Sequence, residues 1–173
     1  MARMRGSETL HVDAPSELVW GLVSDVTNTG RFSPETFEAE WIDGATGPEL
    51  GARFRGHVRR TGWTGKLGLT YWTKCTVTAC VPGQEFTFVV GTPKRWATKW
   101  GYVLAPVEGG TDVTESFELH DDAGLRTYWK IAGGGRGKVN HDGMRRTLER
   151  VKAVAEVEAG SAGGAATSGA EPG

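Results

Sequence analysis

Residues 8–34, ETLHVDAPSELVWGLVSDVTNTGRFSP, decide the fold. The stretch begins as an alternating strand over 8–12, with Leu10 and Val12 on one face and Thr9 and His11 on the other. Pro15 then opens a helix, since proline is tolerated in a first turn whose amides have no intrahelical partner. Leu18, Val19, Leu22 and Val23 recur at helical spacing and make one stripe to be buried. Asp25 and Asn28 are cap or turn residues before a second short helical segment, which Ser33-Pro34 ends. A strand running through a proline into two short helices, then a long strand-like run and one closing helix, describes a curved antiparallel sheet gripping a long helix. Such a shape leaves room inside.

From Glu35 onward the hydrophobic period changes from helical to two, with strands at about 36–42, 52–60, 69–81, 85–91, 95–106 and 111–120. The connections read as turns: Asp43-Gly44, Gly47-Pro48, Thr61-Gly62, Pro82-Gly83, Thr92-Pro93 and Gly109-Gly110. Seven strands with no crossover helix between the last six argue for an antiparallel meander. The closing helix, expected over 138–157, carries Met144, Leu148, Val151 and Ala155 on the stripe that must face the sheet. Between strand and helix, residues 125–131 can form a helical turn, and Gly133-Gly134-Gly135 reads as a hinge. The chain is therefore divided into a flexible start over 1–6, one α+β domain over 7–158, and a Gly/Ala/Ser-rich tail over 159–173. That tail has no large apolar side chains and is expected to be disordered. A domain of roughly 150 residues buries about 70% of the surface of its unfolded chain and can tolerate an internal hollow.

The formal charge is close to balanced, 20 Lys plus Arg against 21 Asp plus Glu, so neither nucleic acid nor membrane is implied as a partner. Between Arg126 and Lys152 lie eight basic residues against Asp142 and Glu149, which is either a solvated helix face or a patch for an acidic partner. Cys75 and Cys80 share one strand, five positions apart, which by alternation sends them to opposite faces roughly 16 Å apart and keeps them free thiols. No stretch approaches eighteen apolar residues, and a cytoplasmic protein with no membrane insertion is expected, as a monomer or homodimer. The four His, at 11, 57, 120 and 141, show no metal-ligand spacing, and no Gly-rich phosphate loop or Ser/Cys nucleophile motif is found, so neither metal nor cofactor is expected.

The words of the sequence then converge in order: Ala14-Pro15-Ser16-Glu17-Leu18-Val19-Trp20 with Asp25, Ser33-Pro34, Gly51-Ala52-Arg53-Phe54, Pro82-Gly83-Gln84-Glu85-Phe86, Gly110-Thr111-Asp112-Val113-Thr114-Glu115 and Gly143-Met144-Arg145. Over about residues 7 to 157 the chain resembles the START-like helix-grip (SRPBCC) superfamily, in particular its bacterial polyketide cyclase/dehydrase and lipid-transport branch. The resemblance implies a helix-grip fold and an internal cavity for a hydrophobic small molecule, polyketide- or lipid-like. It leaves open a cyclising or dehydrating enzyme, a non-catalytic carrier, sensor or self-resistance protein, and a protein-interaction domain of the chaperone-activating type.

Alternation supplies the residues that would line such a cavity. The inner row reads Phe54, Gly56, Val58; Cys75, Val77, Ala79, Val81; Phe86, Phe88, Val90; Trp96, Trp100, Tyr102, Leu104; Val113, Phe117, Leu119. Trp96, Trp100, Phe86, Phe88 and Phe117, with Asn140 and Met144 from the closing helix, are the candidate ligand wall, or equally a packed core. Glu115 falls in register with Val113, Phe117 and Leu119. It is either a cavity acid, or a residue excused by a bulge or by an inward-facing Arg. Glu115, Tyr102 and His141 are the candidate acid/base groups, with a surface or capping role as the alternative for His141. Arg53, Arg55, His57 and Arg59 form the outer row of their strand.

Overall fold

The computed structural model describes residues 5–60, 69–120 and 136–167. Strand β1 (Arg5–Val12) leads into helix α1 (Ser16–Ser24), a 3-10 turn (Val26–Asn28) and helix α2 (Thr29–Phe32). Strands β2 (Thr36–Ile42), β3 (Arg53–Arg60), β4 (Leu69–Val81), β5 (Glu85–Thr92), β6 (Arg95–Val107) and β7 (Gly110–Leu119) follow, and helix α3 (Arg136–Thr167) closes the chain. The expected triple-glycine hinge and the helical turn before it lie outside the described residues.

All seven strands form one antiparallel sheet in the order β1-β7-β6-β5-β4-β3-β2. β2 to β7 are a meander, and β1 adds beside β7, so the first two strands in sequence are the two edges of the sheet. The segment between them, α1 through α2, therefore has to cross the mouth of the sheet. Its geometry is set locally. Pro15 supplies an extended start to α1 and its carbonyl accepts from the amides of Leu18 and Val19, while the Asp25 carboxylate accepts from the Thr27 amide at 3.1 Å and hydroxyl at 2.8 Å. Val19, Leu22, Val23, Val26 and Phe32 are buried against the sheet, as the helical spacing requires. From the other side, α3 lays Leu148, Val151 and Ala155 onto the same core, and Met144 onto a second cluster with Phe117 and Leu119.

The structure corrects the sequence reading at both ends. Arg5 and Gly6, assigned to a flexible start, pair with Glu118 and Phe117, because β7 extends far enough to offer them a ladder. Helix α3 runs past Val157 to Thr167, where disorder was expected from 159. Propagating a formed helix costs far less than nucleating one, and no proline intervenes before Pro172.

Three register shifts, in β2 between Thr36 and Glu38, in β4 and in β6, decide which side chains face inward. In β4 the pairing passes from Val77↔Phe88 to Ala79↔Thr87, so β4 carries one extra residue and every later side chain reverses its face. Val81 is consequently exposed and Cys80 turns in to join the core, with its Sγ 3.4 Å from the Pro48 carbonyl. Both cysteines, each free, thus lie on the concave side, against the strict alternation that separated them. In β6 the pairing passes from Val89↔Lys99 to Gly91↔Trp96. Gly91 sits at φ +119, and a Cβ there would approach the Arg95 carbonyl oxygen to 2.4 Å, so this crossing of strands has room only for glycine.

Candidate functional site

Between the concave sheet face, the α1–α2 segment and the first turns of α3 lies a cavity of about 350 Å³. Its floor is apolar and aromatic. Phe54 of β3, Cys75 of β4, Phe86 and Phe88 of β5 and Trp100 of β6 line it, with the Phe54 and Phe88 rings edge-on at 5.0 Å. Polar atoms enter from its rims: Thr36 and Thr73 on the β2–β4 side, Thr98 on β6, and Asn140 and Thr147 on α3. Cys75 is not a poised nucleophile, since burial pushes its thiol up to about 12.

One cross-strand row places the chemistry. Glu8 on β1 is opposite Glu115 on β7, which is opposite Tyr102 on β6, which is opposite Phe86 on β5. Pairing is uninterrupted along both sides of β7, so Glu115 points inward by register and not through a bulge. It is 5% exposed and lines the cavity. The Tyr102 hydroxyl donates to its Oε1 at 3.1 Å, while Oε2 is buried with no hydrogen-bond partner among the described residues. No arginine among the described residues pairs with it. Burial therefore dominates, and raises the carboxyl from its ordinary 4.5 to about 8 in spite of the Tyr102 hydrogen bond, which acts the other way. Tyr102 is also raised, by burial first and then by its acidic neighbour.

The other candidates divide. Trp100, Phe86, Phe88, Asn140 and Met144 line the cavity together with Glu115 and Tyr102. Three do not. Trp96 lies beyond the register shift of β6, and its ring rests on His120 at 4.6 Å instead of in the cavity. Phe117 is buried among Leu119, Met144 and Trp100, behind the lining. His141 sits on the flank of α3 over β1, where its Nδ1 is 2.7 Å from Glu8 Oε1. Its ring fills the space above Gly6, where an added Cβ would meet Nε2 at 2.7 Å, and the side chain remains 44% exposed. The sequence reading missed Glu8 as the partner that draws His141 aside, although Glu8 alternates with Leu10 and Val12 on the inner face. It also missed Thr36, which the register shift of β2 brings to the same face as Ala39, and Thr98, which alternates with Trp100 but was passed over because alternation was read for apolar residues alone.

The paired charges of β3 and α3 belong to the surface. On the outer row of β3, Arg53 pairs with Asp43, Arg55 with Glu40 and His57 with Glu38. On α3, Arg145 pairs with Glu149 and Lys152 with Asp13 and Glu156. Within the basic run, Arg145 and Lys152 thus have counter-charges of their own, while Arg146 and Arg150 are exposed. Among the described residues no cluster of His, Cys, Asp or Glu could hold a metal ion, and no helix is long and apolar enough to cross a membrane.

A curved seven-stranded sheet closed by a long helix over an apolar cavity defines a helix-grip, cavity-bearing protein. Residues 3–156 match the family described as polyketide cyclase / dehydrase and lipid transport, and the chain belongs to that family. No curated protein matches the chain. Among solved structures, a polyketide-cyclase-like protein of Corynebacterium glutamicum is similar at 29% identity and a TM-score of 0.62, covering 91% of this chain and 94% of that one. The di-domain ARO/CYC StfQ from the steffimycin biosynthetic pathway shares the fold at 15% identity and a TM-score of 0.68, over 91% of this chain and 52% of its own. A Nitrosomonas europaea protein does so at 14% identity and a TM-score of 0.66, over 91% and 97%.

Proposed function

We propose that the protein binds a hydrophobic, polyketide-like small molecule in its cavity and promotes its cyclisation or dehydration, with Glu115 as the acid/base group. The observation that carries this reading is a buried carboxyl lining an apolar cavity, with one oxygen held by Tyr102 and the other without a partner among the described residues; burial raises its titration toward neutrality. A flexible chain held in a dry site is brought into reactive geometry, and one group that can both give and take a proton serves the rest. As an enol carbon attacks a ketone carbon, the Glu115 Oε2 proton passes to the ketone oxygen; the carboxylate then recovers the proton that the enol oxygen gives up, and the aldol so formed can lose its hydroxyl and an α-hydrogen as water.

Glu115→Gln keeps the shape and removes the titrating group. On a short poly-β-ketone the expected result is loss of turnover by about 10²-fold or more, with binding retained. Full turnover in the variant would remove Glu115 from the chemistry. A second reading, a carrier without catalysis, is favoured by the position of His141, whose withdrawal to Glu8 removes one of the three candidate acid/base groups from the cavity. Native mass spectrometry of freshly purified protein separates the readings: a carrier retains one ligand unchanged, whereas an enzyme given the poly-β-ketone releases a product of altered mass or isomeric form.

A further inference from the structure

The reading of the cavity as the ligand site says nothing of how its deep end recognises what it holds, and the hydrogen-bond inventory there is specific. The Tyr102 hydroxyl has one proton, which it spends on Glu115 Oε1. Glu115 Oε2 is left buried and unpartnered among the described residues, and Glu115 lines the cavity together with Phe86, Phe88 and Trp100. An ionised carboxylate at that position would leave an anionic oxygen out of water with no donor, whereas the neutral acid leaves only an O–H in want of an acceptor. The raised titration of this group agrees with the neutral form. Asn140, 8% exposed, lines the same cavity from α3, and its amide has no hydrogen bond to another described residue, so it adds a second donor. The charged residues that line the cavity among those described are Glu35 and Glu115, both acids.

We infer that the deep end of the cavity recognises an uncharged oxygen acceptor, such as a ketone or ester carbonyl, and discriminates against a carboxylate or an amine of the same shape. The carbonyl accepts from Glu115 Oε2, which completes that group without burying a new charge. A ligand carboxylate would enter as a desolvated anion with no Lys or Arg among the described lining residues to pair with it. An ammonium would be welcomed only by an ionised Glu115, which burial disfavours. This rests on the proposal that the cavity is the binding site.

The test uses the full chain at pH 7 and four naphthalenes of nearly one shape: 2-acetylnaphthalene, 2-naphthoate, 2-(aminomethyl)naphthalene and 2-ethylnaphthalene, each competing with the neutral dye Nile red. The ketone should bind about tenfold or more tightly than either charged analogue and than the hydrocarbon, which is about 1.4 kcal/mol. Glu115→Gln, which retains an N–H donor, should keep the ketone within about threefold, and Glu115→Leu should lose the ketone's advantage over 2-ethylnaphthalene. Equal or tighter binding of naphthoate or of the amine, or a Glu115→Leu variant that still prefers the ketone, overturns the inference while leaving the cavity intact. If Glu115→Leu does not fold, the isosteric Gln variant carries the comparison, and a loss of ketone preference there also overturns it. Failure of Nile red and of all four naphthalenes to bind would overturn the cavity reading itself.

Discussion

At the scale of single residues, Glu115 links stability to pH. Its carboxyl titrates near 8 when folded and near 4.5 when exposed, so between those values the folded chain holds a proton that the unfolded chain has released. The stability attached to that proton is fully present below about pH 4.5 and is lost as pH rises to about 8. The titratable groups facing it are Glu8 across β1, itself engaged by His141, and Tyr102 across β6. Glu115→Gln cannot release that proton. Urea denaturation of both proteins from pH 5 to pH 8 should show the variant gaining on the parent as pH rises; parallel curves would place the Glu115 titration at its ordinary value.

Two tryptophans four positions apart make the second residue-scale case. Trp100 lines the cavity and packs on Phe117 at 5.6 Å, whereas Trp96 rests on His120 outside it. Trp100→Ala should lower Nile red affinity by about tenfold and also cost stability, up to about 3–5 kcal/mol if its role is largely packing. Trp96→Ala should leave dye affinity within about twofold. An equal effect of both on affinity would show that Trp96 reaches the ligand.

At the scale of elements, α3 shows how little of a helix need be held by packing. Its inward stripe ends at Ala155, with Ala159 partly buried against the core, and Ser161 closes a local bond to the Val157 carbonyl at 2.8 Å. The residues beyond are Ala, Gly, Thr and Ser, with Glu171 and Pro172, and they bring no large apolar side chain. Truncation after Ser161 should therefore shift the melting temperature by no more than about two degrees. A fall of ten degrees would mean that the distal helix docks on the domain.

The sheet teaches the complementary lesson. Strand positions and turns were legible because alternating side chains and Gly or Pro punctuation are local signals, and the ladder of β7 follows them without interruption. The extra residues in β4 and β6 were not legible. An inserted residue keeps the same alternating text on either side and only resets which face it means, so Cys80, Val81 and Trp96 were assigned to the wrong side. His141 failed for another reason: helical spacing placed it at the edge of the stripe, and a cross-element partner, Glu8, decided which way it turned.

At the scale of the whole molecule, an internal cavity bounded by α1–α2, the sheet and α3 makes ligand binding a contribution to folding. A compound bound only by the folded form at a free concentration of 100 times its Kd stabilises by about 2.7 kcal/mol. For a domain of this size that is about 5–10 °C in melting temperature. 2-Acetylnaphthalene at saturation should raise the melting temperature of the parent protein by that order, and by less in Trp100→Ala. A rise unaffected by Trp100→Ala would locate the binding elsewhere.

The sequence by itself determined the order of elements, the helix-grip architecture, the family and the presence of an inward acid on β7, because each is encoded in residues close together in the chain or in a period they share. Only the tertiary structure decided which of the inner row enclose space and which merely fill it. It took the register shifts to turn Trp96 away, the packing of Phe117 behind Trp100 to remove it from the wall, and the meeting of β1 with α3 to bind His141 to Glu8. It also left Glu115 Oε2 without a partner. Those outcomes depend on pairings between residues as many as 133 positions apart, which no local pattern carries.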